Sequence, residues 1–247
     1  MRVRGGGLRE GFGRNAAAMQ PTKPMPRQEP RWHAALAVLA ALALYITLPP
    51  RLTIGPAWVA PALVLGLLVP LSILAPRRRR ETRETRVAAI ALIAIVNFFN
   101  LVSMLLLIRG FLHPLKDDAP TAAQLLLHGM QIWMTNVLVF GLWYWELDGR
   151  GPDARAHADA ASAVREADFL FPQLSMMMSG GPLGRVDADW KPSFVDYLYV
   201  AYTNATAFSP TDTMPLSPLA KVLMMVQSFI SLLTIAIVLA RAISVIQ

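Results

Sequence analysis

The chain has no cysteine among its 247 residues. That excludes disulfides, thiolate catalysis and sulfur-ligated metals together, and it leaves the compartment undecided. Only four histidines occur, His33, His113, His128 and His157. They fall on different segments without the spacing of a zinc pattern, so a metal site would need convergence from distant parts of the chain. A Gly-x-Ser-x-Gly elbow, a His-Glu-x-x-His pair and a glycine-rich phosphate loop are all missing. These absences remove the common routes to hydrolysis and nucleotide chemistry. The expectation is a protein that is not an enzyme, with no catalytic residue, cofactor or metal.

Apolar residues are what the chain has in abundance. They make up 55% of it, and the mean hydropathy is +0.43, too high for an ordinary soluble domain. The net charge of +7 does not point to nucleic acid, because the basic residues gather beside the ends of apolar runs, as topology signals do. Residues 1–31 hold seven Lys or Arg against two Glu, with several Gly and Pro, and read as a disordered basic cytoplasmic tail. Met19 and Met25 are alternative starts within it. Residues 32–247 read as one membrane domain.

The apolar runs predict spans at Trp32 to Leu48, Ile54 to Ala75, Val87 to Ile108 and Leu125 to Trp145, each near the ~20 residues that cross a ~30 Å hydrocarbon layer. Pro61 and Pro70 are expected to kink the second. Six arginines between Arg77 and Arg86 mark a cytoplasmic loop, with a nucleic-acid or anionic-lipid patch as the alternative. Trp143, Tyr144 and Trp145 suit an interfacial belt. The loop 147–192 holds five basic and seven acidic residues. Its Ala-rich piece, Asp153 to Phe171, is a candidate cytoplasmic helix, and Phe169-Leu170-Phe171-Pro172 with Met176 to Met178 is a candidate for resting on the membrane surface.

Ser193 to Phe208 begins with a capping serine and Asp196 three residues on. It spans only roughly 22 Å as a helix, so it is a short crossing or a re-entrant segment. Ser217-Pro218 reads as an N-cap and first helical position for a last helix over Leu219 to Ile246. Counting the fifth segment as a crossing gives six spans, cytoplasmic termini and Arg241 inside, and parity favours that count. The predicted fold is an all-α integral membrane bundle of six segments in the cell membrane, the fifth short.

Polar residues recur along the apolar segments at helical spacing: Asn97, Asn100 and Ser103; His128, Gln131 and Thr135; Tyr199, Thr203 and Thr206 with Asp196; Gln227, Ser231 and Thr234. They either glue helices together, at about 0.6 kcal/mol per contact, or line a hydrated path. Asn100, Gln131, Asp196, Thr203, Asn204, Thr206, Thr211, Asp212 and Gln227 are the candidate path residues.

Asp196-Tyr197-Leu198-Tyr199, Thr203, Thr206-Ala207-Phe208 and Thr211-Asp212-Thr213, in a layout of two spans, a basic loop, two spans, a polar loop and a last helix, resemble the uncharacterised bacterial membrane family called domain of unknown function 1345. The chain departs from it at Asn204 to Pro210, and the likeness implies no activity. The same stretch is similar to the pore helix, filter and inner helix of two-span potassium channels. Thr206 to Asp212 contains no glycine, so a potassium-type filter is not reproduced. What this likeness implies is an ion or small-solute permeation protein, homo-oligomeric if its pore lies on a symmetry axis. The alternative is a non-catalytic scaffold whose 147–192 loop recruits a cytoplasmic protein.

Overall fold

The computed structural model describes residues 31–74, 82–113, 121–158, 160–179, 190–206 and 212–246. The tail, Arg77 to Arg80 and Thr211 lie outside them. The described chain is all-α apart from one two-residue strand pairing. Its elements are α1 (Trp32–Ile46), α2 (Val59–Leu74), α3 (Arg83–Leu112), α4 (Ala122–Leu147), α5 (Pro152–His157), α6 (Ala160–Glu166), β1 (Phe169–Leu170), α7 (Pro172–Ser179), α8 (Phe194–Thr206), β2 (Met214–Pro215) and α9 (Pro218–Ile246).

Three helices, α3, α4 and α9, are long and apolar enough to cross a membrane. With 30, 26 and 29 residues they extend roughly 39–45 Å. The shorter apolar helices α1 and α2 have 15 and 16 residues, roughly 22–24 Å.

Local signals set the boundaries. Thr82 and Thr85 form a capping box, which starts α3 before its apolar run and makes Arg83 and Arg86 helical. Thr121 and Gln124 do the same for α4. Ser217 Oγ accepts from the Ala220 amide at 3.2 Å, leaving Pro218 at the first position of α9 as its missing N–H allows. α2 begins only at Val59, so Pro61 falls in its first turn, where proline is tolerated, and Pro70 alone is interior.

The central helix is α4, packed against α1, α3, α8 and α9. Gln131 Nε2 donates to Thr47 Oγ1 just past the end of α1, and Arg86 near the start of α3 faces Glu146 near the end of α4. Both neighbours therefore run antiparallel to α4. Val238 of α9 sits against Gly129, so α9 does too.

The doubling back of the chain around α8 corrects the predicted crossing. Phe194 lies edge-on to Trp145 with ring centroids 6.0 Å apart, Leu198 sits against Gly141, and Tyr202 lies edge-on to Trp133 at 5.9 Å. The 13-residue helix thus descends roughly 20 Å along α4 from its C-terminal end. After residues 207–211 the chain is again at that same end, where β2 pairs antiparallel with β1 and the Leu216 amide donates to Asp168 O at 2.8 Å. Segment parity fails with the crossing. α1 starts at the C-terminal end of α4 and α9 finishes toward its N-terminal end, so the described chain begins and ends at opposite ends of the bundle, contrary to the expected common side.

Candidate functional site

The hairpin formed by α8 and β2 is held by two sets of buried polar groups. The first closes the end of α4. Gly149, Arg150 and Gly151 have φ of 55°, 68° and 99°, a left-handed run that turns the chain sharply. A Cβ on Gly149 would lie 2.9 Å from Arg155 Cγ, so glycine is needed there twice over. The turn buries Asp148, whose Oδ1 accepts from the Asp168 amide at 2.6 Å and the Phe169 amide at 3.2 Å. Its Oδ2 accepts from Tyr197 Oη on α8. Arg155 Nη1 donates to the carbonyls of Trp145 at 2.8 Å and Asp148 at 2.5 Å, and its guanidinium lies 4.9 Å over the Tyr197 ring. Lys191 Nζ caps the end of α5, donating to the carbonyls of Arg155 and Ala156 at 2.8 Å. A buried carboxylate is tolerated when charge and hydrogen bonds satisfy it this fully.

Aromatic packing surrounds this clasp. Phe171 meets Tyr197 edge-on at 5.2 Å and Trp190 at 5.8 Å, while Phe169 lies 5.1 Å from Tyr144. Phe169 and Phe171 are therefore interior to the protein and do not rest on the membrane surface as expected. Tyr144 and Trp145 are likewise buried, so they do not form an interfacial belt. The Ala-rich piece is broken into α5 and α6 because Asp148, Arg155 and Lys191 pin its ends.

The second set joins α8 to α4 and α9. Gln227 is 0% exposed. Its Oε1 accepts from Tyr144 Oη at 2.5 Å and from Asn204 Nδ2 at 2.7 Å, and its Nε2 donates to Ala201 O at 2.8 Å. Ser228 Oγ reaches Asn204 Oδ1 at 3.0 Å, and Asn136 Nδ2 donates to Ser231 Oγ at 2.9 Å. One glutamine thus ties three helices. At about 0.6 kcal/mol for each of its three side-chain bonds, Gln227→Leu is expected to lower stability by roughly 2 kcal/mol. Thermal unfolding in detergent checks this, and an unchanged midpoint would count against the network.

The predicted path residues divide into groups. Asn204 and Gln227 are struts of this network. Thr203 Oγ1 and Thr206 Oγ1 donate to carbonyls of their own helix, Tyr199 and Thr203, each at 2.9 Å. Asp196 Oδ2 accepts from the Ser193 amide and hydroxyl, both at 2.7 Å, and so caps α8. Asp212 is exposed at the hairpin mouth, and Thr211 lies outside the described residues. Asn100 and Gln131 face α1, away from the hairpin. Asp148, Arg155 and Asn136 were not singled out from the sequence, and Tyr144 was read there only as part of an aromatic belt. Asn136 falls one residue off the Gln131 and Thr135 stripe, and Asp148 sits in a Gly-Pro turn that reads as a loop.

His128, Glu146 and Asp196 are not brought together. Glu146 faces Arg86, Asp196 caps α8, and His128 lies roughly 27 Å along α4 from Glu146. Among the described residues no three acidic or histidine side chains group as metal ligands. Comparison of the chain with protein-family models, curated proteins and solved structures finds no match.

Proposed function

We propose that this is a multi-pass membrane protein that passes ions or small solutes along a path built on the α8 hairpin. The observation that carries the reading is the descent of α8 from one end of α4 and the return of the chain to that end. Such a helix ends at mid-depth, and its last carbonyls are tolerated in a hydrocarbon layer only where protein or water faces them. Those carbonyls carry the negative pole of the helix and favour a cation. Asp212, exposed at the mouth, adds a charge of the same sign. The glycine-free stretch from Thr206 to Asp212 disfavours a potassium-type filter.

In this reading α1 to α4 and α9 cross and α8 re-enters. The end carrying Arg83 and Arg86 faces the cytoplasm by the excess of basic residues. The N-terminus is then cytoplasmic and the C-terminus is not. The outer faces of α8 and α9 expose Tyr199, Tyr202, Met225 and Phe229. Tyrosines at that depth are better covered by a second copy than by lipid, so the path forms in a homo-oligomer.

Purified protein in liposomes is expected to pass monovalent cations. Asp212→Ala is expected to lower that flux roughly tenfold at low salt, less at high salt, because a mouth charge concentrates counter-ions. Flux equal to that of empty liposomes across several ions would overturn the reading.

A further inference from the structure

In the polar stripes of α3 and α4 that take no part in the hairpin, three side chains are deeply buried, while Asn97 and Gln131 are half-buried. Asn100 is 3% exposed, Ser103 0% and His128 8%. Yet Asn100 Nδ2, Ser103 Oγ and His128 Nδ1 have no hydrogen-bond partner among the described residues, and neither do Asn97 Oδ1 and Gln131 Oε1. Most buried polar atoms are paired, and each orphan costs about 1–3 kcal/mol. Five of them gathered on short stretches of two neighbouring helices point to something that satisfies them jointly.

Geometry brings the two stripes level. With Arg86 beside Glu146 and the helices antiparallel, Asn97 falls level with Thr135, Asn100 with Gln131, and Ser103 with His128. Asn100 and Thr135 line one otherwise mostly apolar cavity with Tyr45 of α1 and Val64 of α2; it offers about 20 Å³ of room for solvent, and Ser103 and His128 lie beyond its lining. That is enough for a water molecule. At one end the seam reaches the turn after α1, where Gln131 Nε2 donates to Thr47 Oγ1 at 2.8 Å. Toward the other end it is closed by buried apolar residues, Leu92 and Ile93 on α3 and Val139 and Leu142 on α4.

We infer that the seam between α1, α3 and α4 is a hydrated, dead-end binding pocket for neutral, water-sized, hydrogen-bonding molecules, entered at the Thr47 turn, with Asn100 holding them at the cavity and Ser103 and His128 further along the seam. It is separate from the hairpin and does not depend on the permeation reading. Amide, hydroxyl and imidazole groups supply donors and acceptors without a carboxylate, and the Arg51 guanidinium, close enough to act on His128, repels cations at the entrance, which selects neutral polar molecules over cations. The apolar plug at Val139 makes it a pocket and not a second path.

Water-edited solid-state NMR on the protein in bilayers, with asparagine, glutamine and histidine side chains labelled, tests this with water itself as the probe. Gln227 is the internal dry reference, being 0% exposed with both its side-chain oxygen and its nitrogen bonded. The Asn100 amide and the His128 ring are expected to gain magnetisation from water several-fold faster than the Gln227 amide, and equal rates would overturn the proposal. Ser103→Ala gives a second reading that adds no atoms. Loss of a solvated hydroxyl lowers the melting temperature, whereas removal of a dry orphan raises it or leaves it unchanged, which would also overturn the proposal.

Discussion

Asp148→Ala is expected to lower the unfolding free energy by about 3–5 kcal/mol, the cost of removing one member of a buried charged set. The substitution leaves the Asp168 and Phe169 amides, the Tyr197 hydroxyl and the Arg155 guanidinium without the carboxylate they surround. Tyr197→Phe removes one of those bonds and should cost about 1 kcal/mol. Thermal unfolding in detergent ranks the two, and limited proteolysis across 147–193 reports whether the loop has come loose. Equal stability of wild type and Asp148→Ala would mean that the clasp does not hold the hairpin.

Gly141→Val tests the other side of α8 by steric means. A Cβ at Gly141 would lie 3.2 Å from Leu198 Cα and 3.3 Å from Leu198 Cδ1. Backbone cannot rotate away, so alanine is already tight and a β-branched side chain must displace α8. Overpacking of this kind costs about 1–3 kcal/mol. Because Ala201 and Asn204 lie further along the same helix, the displacement also pulls on their bonds to Gln227. In liposomes, Gly141→Ala should keep more flux and a higher melting point than Gly141→Val. If valine is tolerated as well as alanine, α8 is not held at this depth against α4.

Much of the fold is written in local signals. The apolar runs located every long helix, and Ser217-Pro218 and Ser193 with Asp196 marked helix starts that the structure bears out. Segment parity assumes that every apolar helix runs from one end of the bundle to the other, and around α8 the chain returns to the end it came from. The return of the chain is decided by partners distant in sequence: β1 with β2, and Asp148 with Tyr197. No period or cap announces such pairings.

The candidate site was legible in part for the same reason. Helical spacing found Gln227, and the dense polar cluster near the last helix found Asn204. Spacing cannot tell a strut from a lining group, and it is the packing of α4 against α8 and α9 that puts Tyr144 between them. For Thr203 and Thr206 the own-helix carbonyl was a nearer acceptor than anything across the bundle.

The strand pairing sets an order of events during synthesis. Phe169 opposes Pro215, and at ~5–20 residues per second the ribosome needs roughly 2–9 s to deliver the second after the first. For that interval β1 has no strand to pair with, and α8, already able to reach Asp148 through Tyr197, has no return strand behind it. The nascent chain therefore carries an apolar segment whose place in the bundle is fixed on one side only until β2 has been made. Biogenesis of this protein should depend on whatever shelters that segment meanwhile, more than its folded stability alone would indicate.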